Sequence, residues 1–296
     1  MRRLVLLSVV VVLISAAAFA GLLVTPTAQN KQQPSVAVTI GLLGELASRL
    51  TESQVEVYQI LPPGVELHDW EPTPDVVEKA GKARVLVWLL EDLDGWGDRV
   101  ARNARVESYK AGTGLELIAL DHHAFDVHVW LNPRNMARIV ENIAAMLSEK
   151  FPDLRPVIQR NSAALLDELN QLDREFSSKL SAYRGKTIIT QHDAFRYLAD
   201  AYGLKVLAVL GGHEEEPSAA HIKEIYEVIK TENIKVIFAE DDFVNPILAT
   251  ISRDTGVEVR MLYTGEGLNH DDYKKGKGYV NILRSNLEAL LNAFER

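Results

Sequence analysis

The sequence predicts an α/β fold of two lobes, each built on a mainly parallel sheet, joined by one long helix. Two observations carry that reading. From Ser35 onward short apolar runs alternate with amphipathic stretches, the sequence form of strands and crossover helices. Between about Arg134 and Arg184 the pattern is helical throughout, and the alternation then resumes. A length of 296 residues accommodates two domains of ordinary size. The expected layout is a first lobe over 35–150, a helical spine over 151–185 and a second lobe over 186–296.

Taken in order, "SVAVTI" reads as a strand and "GLLGELASRL" as a helix with its leucines on one face. "VEVYQIL" is the next strand, and it runs into "PPGVELHDWEPTP". Pro62, Pro63, Pro72 and Pro74 keep that stretch out of helix and sheet, so His68 sits in a braced loop among Glu66, Asp69 and Glu71. Pro74 suits the first turn of the helix "PDVVEKAGKA". The strand "RVLVWLL" follows, and "LELIAL" is expected to be a further strand, leading into "DHHAFDVHVWLNP".

"RNMARIVENIAAMLSEK" is amphipathic, and from Pro156 apolar residues recur at three- and four-residue spacing for nearly the whole spine. Such a helix joins lobes better than it crosses within one sheet, and it argues against large hinge bending. The second lobe reads as "TIITQ", "AFRYLADAYG", "KVLAVL", "SAAHIKEIYEVIKTEN", "KVIFAE", "NPILATISRDTG" and "VEVRMLY", strand and helix in turn.

At the N-terminus Arg2 and Arg3 precede an unbroken apolar or small run over 4–24. This is a secretory signal with small Ala18 and Ala20 ahead of a cleavage point, or an uncleaved anchor, since about 20 apolar residues span a bilayer. The polar stretch 25–34 reads as a tether. Either reading places the working part outside the cytoplasm, with membrane contact only through this N-terminal segment.

A net charge of −9 argues against a nucleic-acid partner, because little here would neutralise phosphates, and it suits a protein that handles cations. Cysteine is absent, which excludes disulfides, thiolate metal ligands, a cysteine nucleophile and a lipidated cysteine within this sequence. Any metal site is therefore built from nitrogen and oxygen.

The histidines are at 68, 122, 123, 128, 192, 213, 221 and 270, with no HExxH among them. Position along the strands is more informative than spacing. His68 follows "VEVYQIL", His128 follows "LELIAL" and His192 closes "TIITQH", so each falls at or beyond the C-terminal end of a strand. That edge is where open α/β sheets bind ligands. Taken singly, each histidine reads as a polar surface or core residue; three at one edge read as a convergent site. Glu240 after "KVIFAE" and Glu266 in "TGEG" bring carboxylates to the matching edge of the second lobe. Imidazole with carboxylate suits zinc and similar borderline metals.

These segments resemble a known family. "PPGVELHDWEPTP", "HVWLNP", "TQHDAF", "YLADAYGLKV" and "EPSAAHIKEIYEVIKTENIKVIFAE" look like the zinc- and manganese-binding solute receptors of ABC importers, the cluster A-I or zinc-uptake component A family. The resemblance runs from about Ser35 to the C-terminus. It implies two Rossmann-like lobes, a spine helix and a metal site in the cleft. Carried over by motif, it puts the first three ligands on His68, His128 and His192. Manganese members tend to have glutamate at the third position, so His192 favours Zn2+ over Mn2+. The family's fourth ligand is an aspartate in an "LYxD" context, but here the segment reads "LYTGEG", with Gly265 in that place and Glu266 beside it. Glu266 is the candidate fourth ligand, and Glu240, Glu66, water or a neighbouring histidine are the alternatives.

Zinc members commonly carry a His-rich loop between the first two ligands; here there is only "DHHAFDVH", in which His122 and His123 read as a short metal-capture loop or as exposed polar residues. "GGHEEEPSAAH" has the same two readings, the acids lying where a helix begins. Trp70 and Trp130 lie near the proposed ligands and are expected, with Trp88 and Trp96, to wall the site from water.

The function implied is an extracytoplasmic, non-enzymatic receptor that takes a divalent metal to an ABC permease. Two other classes stay beside it: a hydrolase whose His-ligated zinc activates water, with Glu66 or Glu240 as base, and an adhesin stabilised by metal.

Overall fold

The structure is a computed structural model that describes residues 35–296, apart from 64, 66, 68, 69, 121–123, 212–215, 241–244, 269, 270, 272–274 and 276. The expected N-terminal signal and tether, Glu66 and His68, and His122 and His123 therefore lie outside the described residues.

In the first half β1 (Ser35–Val38), β2 (Glu56–Gln59), β3 (Val85–Trp88) and β4 (Glu107–Lys110) form a parallel sheet in the order β2-β1-β3-β4. In the second, β5 (Thr187–Thr190), β6 (Lys205–Ala208), β7 (Val236–Ala239) and β8 (Glu258–Met261) repeat that order as β6-β5-β7-β8, again parallel. Parallel neighbours need crossovers, supplied among others by α1 (Gly41–Leu50), α2 (Pro74–Ala80), α3 (Glu91–Asp94) and α4 (Trp96–Ala104) in the first lobe. In the second they are α7 (Arg196–Tyr202), α8 (Ala219–Thr231) and α9 (Pro246–Thr255). Central β3 and β7 are buried at every residue, as strands covered on both faces must be.

One strand differs from the sequence reading. "LELIAL" is not a strand; of its residues only Ala119 makes an isolated bridge, to Phe125. The fourth place in the sheet is taken by β4, "ESYK", an edge strand half open to solvent. Leu115, Leu117 and Ile118 still lie on the core, so their apolar alternation reports burial of a loop. His128 accordingly follows this loop.

Between the two sheets in chain order come α5 (Pro133–Lys150) and α6 (Arg155–Lys179), packed as a hairpin. Asn132 caps α5 by accepting from the Arg134 amide, with Pro133 as its first residue. At 25 residues α6 spans about 37 Å. Its buried Ile158, Leu165, Leu169, Leu172 and Phe176 follow helical spacing. The Asn161 amide donates to the Leu50 carbonyl of α1 at 3.2 Å, while Tyr202 of α7 donates to Asp173 of α6 at 3.0 Å. Both lobes are thus tied to the spine. One apolar cluster runs from Val36 and Val87 through Leu172 and Phe176 to Phe195, Phe238 and Leu287, the last on the C-terminal helix α10 (Tyr279–Phe294). The lobes share this core.

Candidate metal centre

His192 stands just past β5, and Glu240 just past the adjacent β7, so the two flank the point where strand order reverses in the second sheet. Glu240 is 4% exposed. One carboxylate oxygen accepts from the His192 amide at 3.1 Å and the other accepts from His192 Nδ1. A histidine whose Nδ1 is bonded this way presents Nε2 outward.

His128 precedes a single 3-10 turn, Val129–Leu131, that leads into α5. Asp126, 2% exposed, accepts from its backbone amide at 2.9 Å and from its Nδ1 at 2.8 Å. Tyr197 of α7 donates to the Asp126 carbonyl at 3.0 Å and accepts from the Ile118 amide at 2.9 Å, holding this loop from the other lobe. The Trp130 ring lies against the His128 ring, centroids 5.4 Å apart.

Glu266 follows β8. Gly265 before it has φ 79°, the left-handed region that glycine occupies without steric penalty. The turn made there moves the carboxylate one residue beyond the position the resemblance would give an aspartate.

The three side chains meet. His128 Nε2 is 3.3 Å from His192 Nε2, 3.2 Å from Glu266 Oε1, and His192 Nε2 is 3.8 Å from the same oxygen. Together they are the group among the described residues whose geometry could hold a metal ion. Metal–nitrogen bonds of about 2.0–2.1 Å in a tetrahedron separate neighbouring donors by about 3.3 Å, so the triangle has the dimensions of three corners of a zinc shell.

Electrostatics follow from burial and pairing. Burial pulls the His128 pKa down, but hydrogen bonds and charge from Asp126 and Glu266 outweigh it and push it up to about 10. Burial likewise opposes protonation of His192, and Glu240 more than offsets it, so its pKa is also raised. Burial raises Glu240 against the pull of His192. The pocket thus holds imidazoles that attract protons strongly and would give them up to a cation of higher charge.

The remaining candidates are placed as follows. Glu240 lies behind the His192 ring, on Nδ1. His221 is on α8, where Nε2 donates to the Ala208 carbonyl at 2.7 Å and the backbone amide to the Ser218 cap at 3.2 Å, a helix-start arrangement. Of the tryptophans, Trp88 donates to Ser108 at 2.9 Å and Trp96 packs on Trp70, whereas Trp130 stands at the histidines. Sequence reasoning missed Asp126 and Tyr197. An acid two residues before a candidate ligand, as in Asp126-Val127-His128, was the available signal for the first.

Two parallel-sheet lobes with imidazole and carboxylate donors gathered where they meet define a two-lobed binding protein with a cation-sized pocket. The chain belongs to the family described as ZnuA, zinc-uptake complex component A, periplasmic, whose model matches residues 36–293. It is 31% identical over 264 residues to the zinc-binding lipoprotein AdcA of Streptococcus pneumoniae, covering 83% of this chain and 53% of that protein. The chain thus spans about half the length of this curated relative. It is 31% identical over 273 residues to the high-affinity zinc uptake system protein ZnuA of Bacillus subtilis, covering 86% of each. The Zn(II)-bound ZnuA-like domain of the pneumococcal AdcA superposes with a TM-score of 0.77 at 30% identity, over 89% of this chain and 100% of that one. The laminin-binding protein Lmb of Streptococcus agalactiae, described as bifunctional with adhesin and metal transporting activity, superposes at 0.79 with 31% identity, over 88% of this chain and 98% of that one.

Proposed function

We propose that this chain is an extracytoplasmic receptor that captures zinc in the cleft between its lobes and delivers it to an ABC permease. The observation that carries the reading is the convergence of His128 Nε2, His192 Nε2 and Glu266 Oε1 within 4.8 Å of one another. Two imidazoles and one carboxylate favour zinc over manganese, which prefers more oxygen. His68 completes the shell from its proline-braced loop, in the place the family resemblance gives the first ligand. His122 and His123 form a short capture loop. In this layout residues 1–24 are the signal or anchor and 25–34 the tether, ahead of lobes over 35–150 and 186–296 and the spine over 151–185.

Receptor rather than hydrolase is supported by the position of Glu240. A zinc hydrolase needs a free base beside the metal-bound water, and this carboxylate is buried and committed to His192. With all four positions taken by protein, zinc is held closed, as cargo.

Competition for zinc against a chromophoric chelator tests the proposal, using the wild type with His68→Ala and His192→Ala. The expected result is tight one-to-one binding that each substitution weakens by orders of magnitude, without hydrolysis of ester or phosphoester probes. Binding unchanged in both variants overturns it.

A further inference from the structure

Glu266 belongs to the second lobe by sequence, yet its segment is held from the first. Among the described residues, first-lobe side chains anchor the stretch between β8 and α10 near its start and at the head of α10. Near its start, Trp130 Nε1 donates to the Thr264 carbonyl at 2.9 Å. At its end, both carboxylate oxygens of Glu45, on α1, accept from the Tyr279 amide, at 3.0 and 3.2 Å. Tyr279 is the first residue of α10, so a first-lobe side chain caps a second-lobe helix where negative charge is favourable. The Tyr279 hydroxyl in turn donates to the Trp130 carbonyl, which closes the circuit. Trp130, Glu45 and Tyr279 are 2%, 2% and 3% exposed, so these bonds lie away from competing water.

Within the second lobe the segment is held as well. Asn286 of α10, fully buried, donates to the Tyr263 carbonyl at 2.7 Å and accepts from its amide at 2.9 Å.

We infer that Trp130 and Glu45 are positioning residues for Glu266: two side chains of the first lobe that fix, at either end, the segment carrying a metal donor of the second. The inference rests on the receptor reading of the site. Trp130 also lies against His128, so one indole sets two of the three converging donors. Donor geometry is then built into the joined lobes and does not wait on their closing. Opening the site means loosening the Glu266 segment from Trp130.

The test is a double-mutant cycle on the full-length chain with zinc as the probe. Trp130→Phe keeps a ring against His128 and removes the N–H. It is expected to weaken zinc binding about 10-fold or more, mainly by faster dissociation. Glu266→Ala weakens binding by itself, and the double variant is expected to be no weaker than Glu266→Ala alone, because the indole acts through that carboxylate. The visible spectrum of the cobalt-loaded protein should shift in Trp130→Phe in the direction that Glu266→Ala shifts it. Glu45→Gln and Tyr279→Phe run through the same cycle if the tryptophan variant does not fold. Effects that multiply, or an affinity that Trp130→Phe leaves unchanged, overturn the inference while leaving zinc binding in place. A wild-type chain that ignores zinc overturns the receptor reading and this inference together.

Discussion

His128 and His192 come from different lobes, and their Nε2 atoms face each other across 3.3 Å. Behind each ring stands a carboxylate on Nδ1, Asp126 for the first and Glu240 for the second. Two nitrogens so placed, with Glu266 beside them, share either protons or a metal ion.

Zinc binding should therefore release protons. His128 is held up to about 10 and is protonated at neutral pH without metal, whereas a ligand imidazole must be neutral at Nε2. Calorimetry at pH 7 in buffers of different ionisation enthalpy should report about one proton or more released per zinc, and affinity should rise with pH. No dependence on the buffer would contradict the assignment.

The metal-free protein should respond to pH in the opposite sense. A histidine pKa raised from 6.5 to about 10 on folding adds stability that is fully present below pH 6.5 and is lost as pH rises through 10. His192 shifts in the same direction. Thermal midpoints of the zinc-free protein should fall across that window, and saturating zinc should abolish the fall or reverse it.

Asp126→Asn replaces a carboxylate with an amide of nearly the same shape. Its oxygen can still accept from His128, but without charge, so the imidazole becomes a weaker donor to metal. A loss of about 10- to 100-fold in zinc affinity is expected, with the zinc-free fold retained by circular dichroism. An unchanged affinity would mean that Asp126 serves the loop alone.

Gly265→Ala tests the turn before Glu266. A left-handed φ of 79° costs an alanine about 1 kcal/mol or more, while the nearest atom to the added methyl, on Leu268, is at an ordinary 3.5 Å. Stability should drop by about that amount, and zinc affinity should drop with it if the strain is relieved by moving Glu266. Equal affinity with lowered stability would separate the turn from the site.

The parallel lobes were legible in the sequence because central strands such as "VLVW" and "VIFA" are apolar at every position. The edge strand "ESYK" was not, since it packs few of its side chains and so carries little hydrophobic pattern; "LELIAL", a buried loop, carried more and took its place in the reading. His192, Glu240 and Glu266 could be located because strand ends are readable. Their division of labour could not: nothing in the sequence distances tells a carboxylate beside two imidazole Nε2 atoms from one behind a ring. Trp130 and Glu45 were out of reach for a similar reason, since their partners Thr264 and Tyr279 lie 134 and 234 residues away.

The shared strand order lets the two halves be laid over each other by their ladders. Ile60 donates to Val38 and Leu61 to Thr39, as Val209 donates to Thr190 and Leu210 to Gln191; Ala111 donates to Trp88 as Leu262 does to Ala239. In this pseudo-symmetric register His192 corresponds to Ile40, and Glu240 to Leu89. One copy of the crevice carries an imidazole and its carboxylate at these positions, whereas in the other both positions are apolar, 4% and 0% exposed, and the nearby Asp94 carboxylate is engaged by the Leu89 and Leu90 amides and the Thr39 hydroxyl. Two halves alike in strand order thus carry unlike side chains at the same two register positions. The first half brings His128 from the loop before α5 instead, and Asp126 supplies there the brace that a neighbouring strand end gives His192.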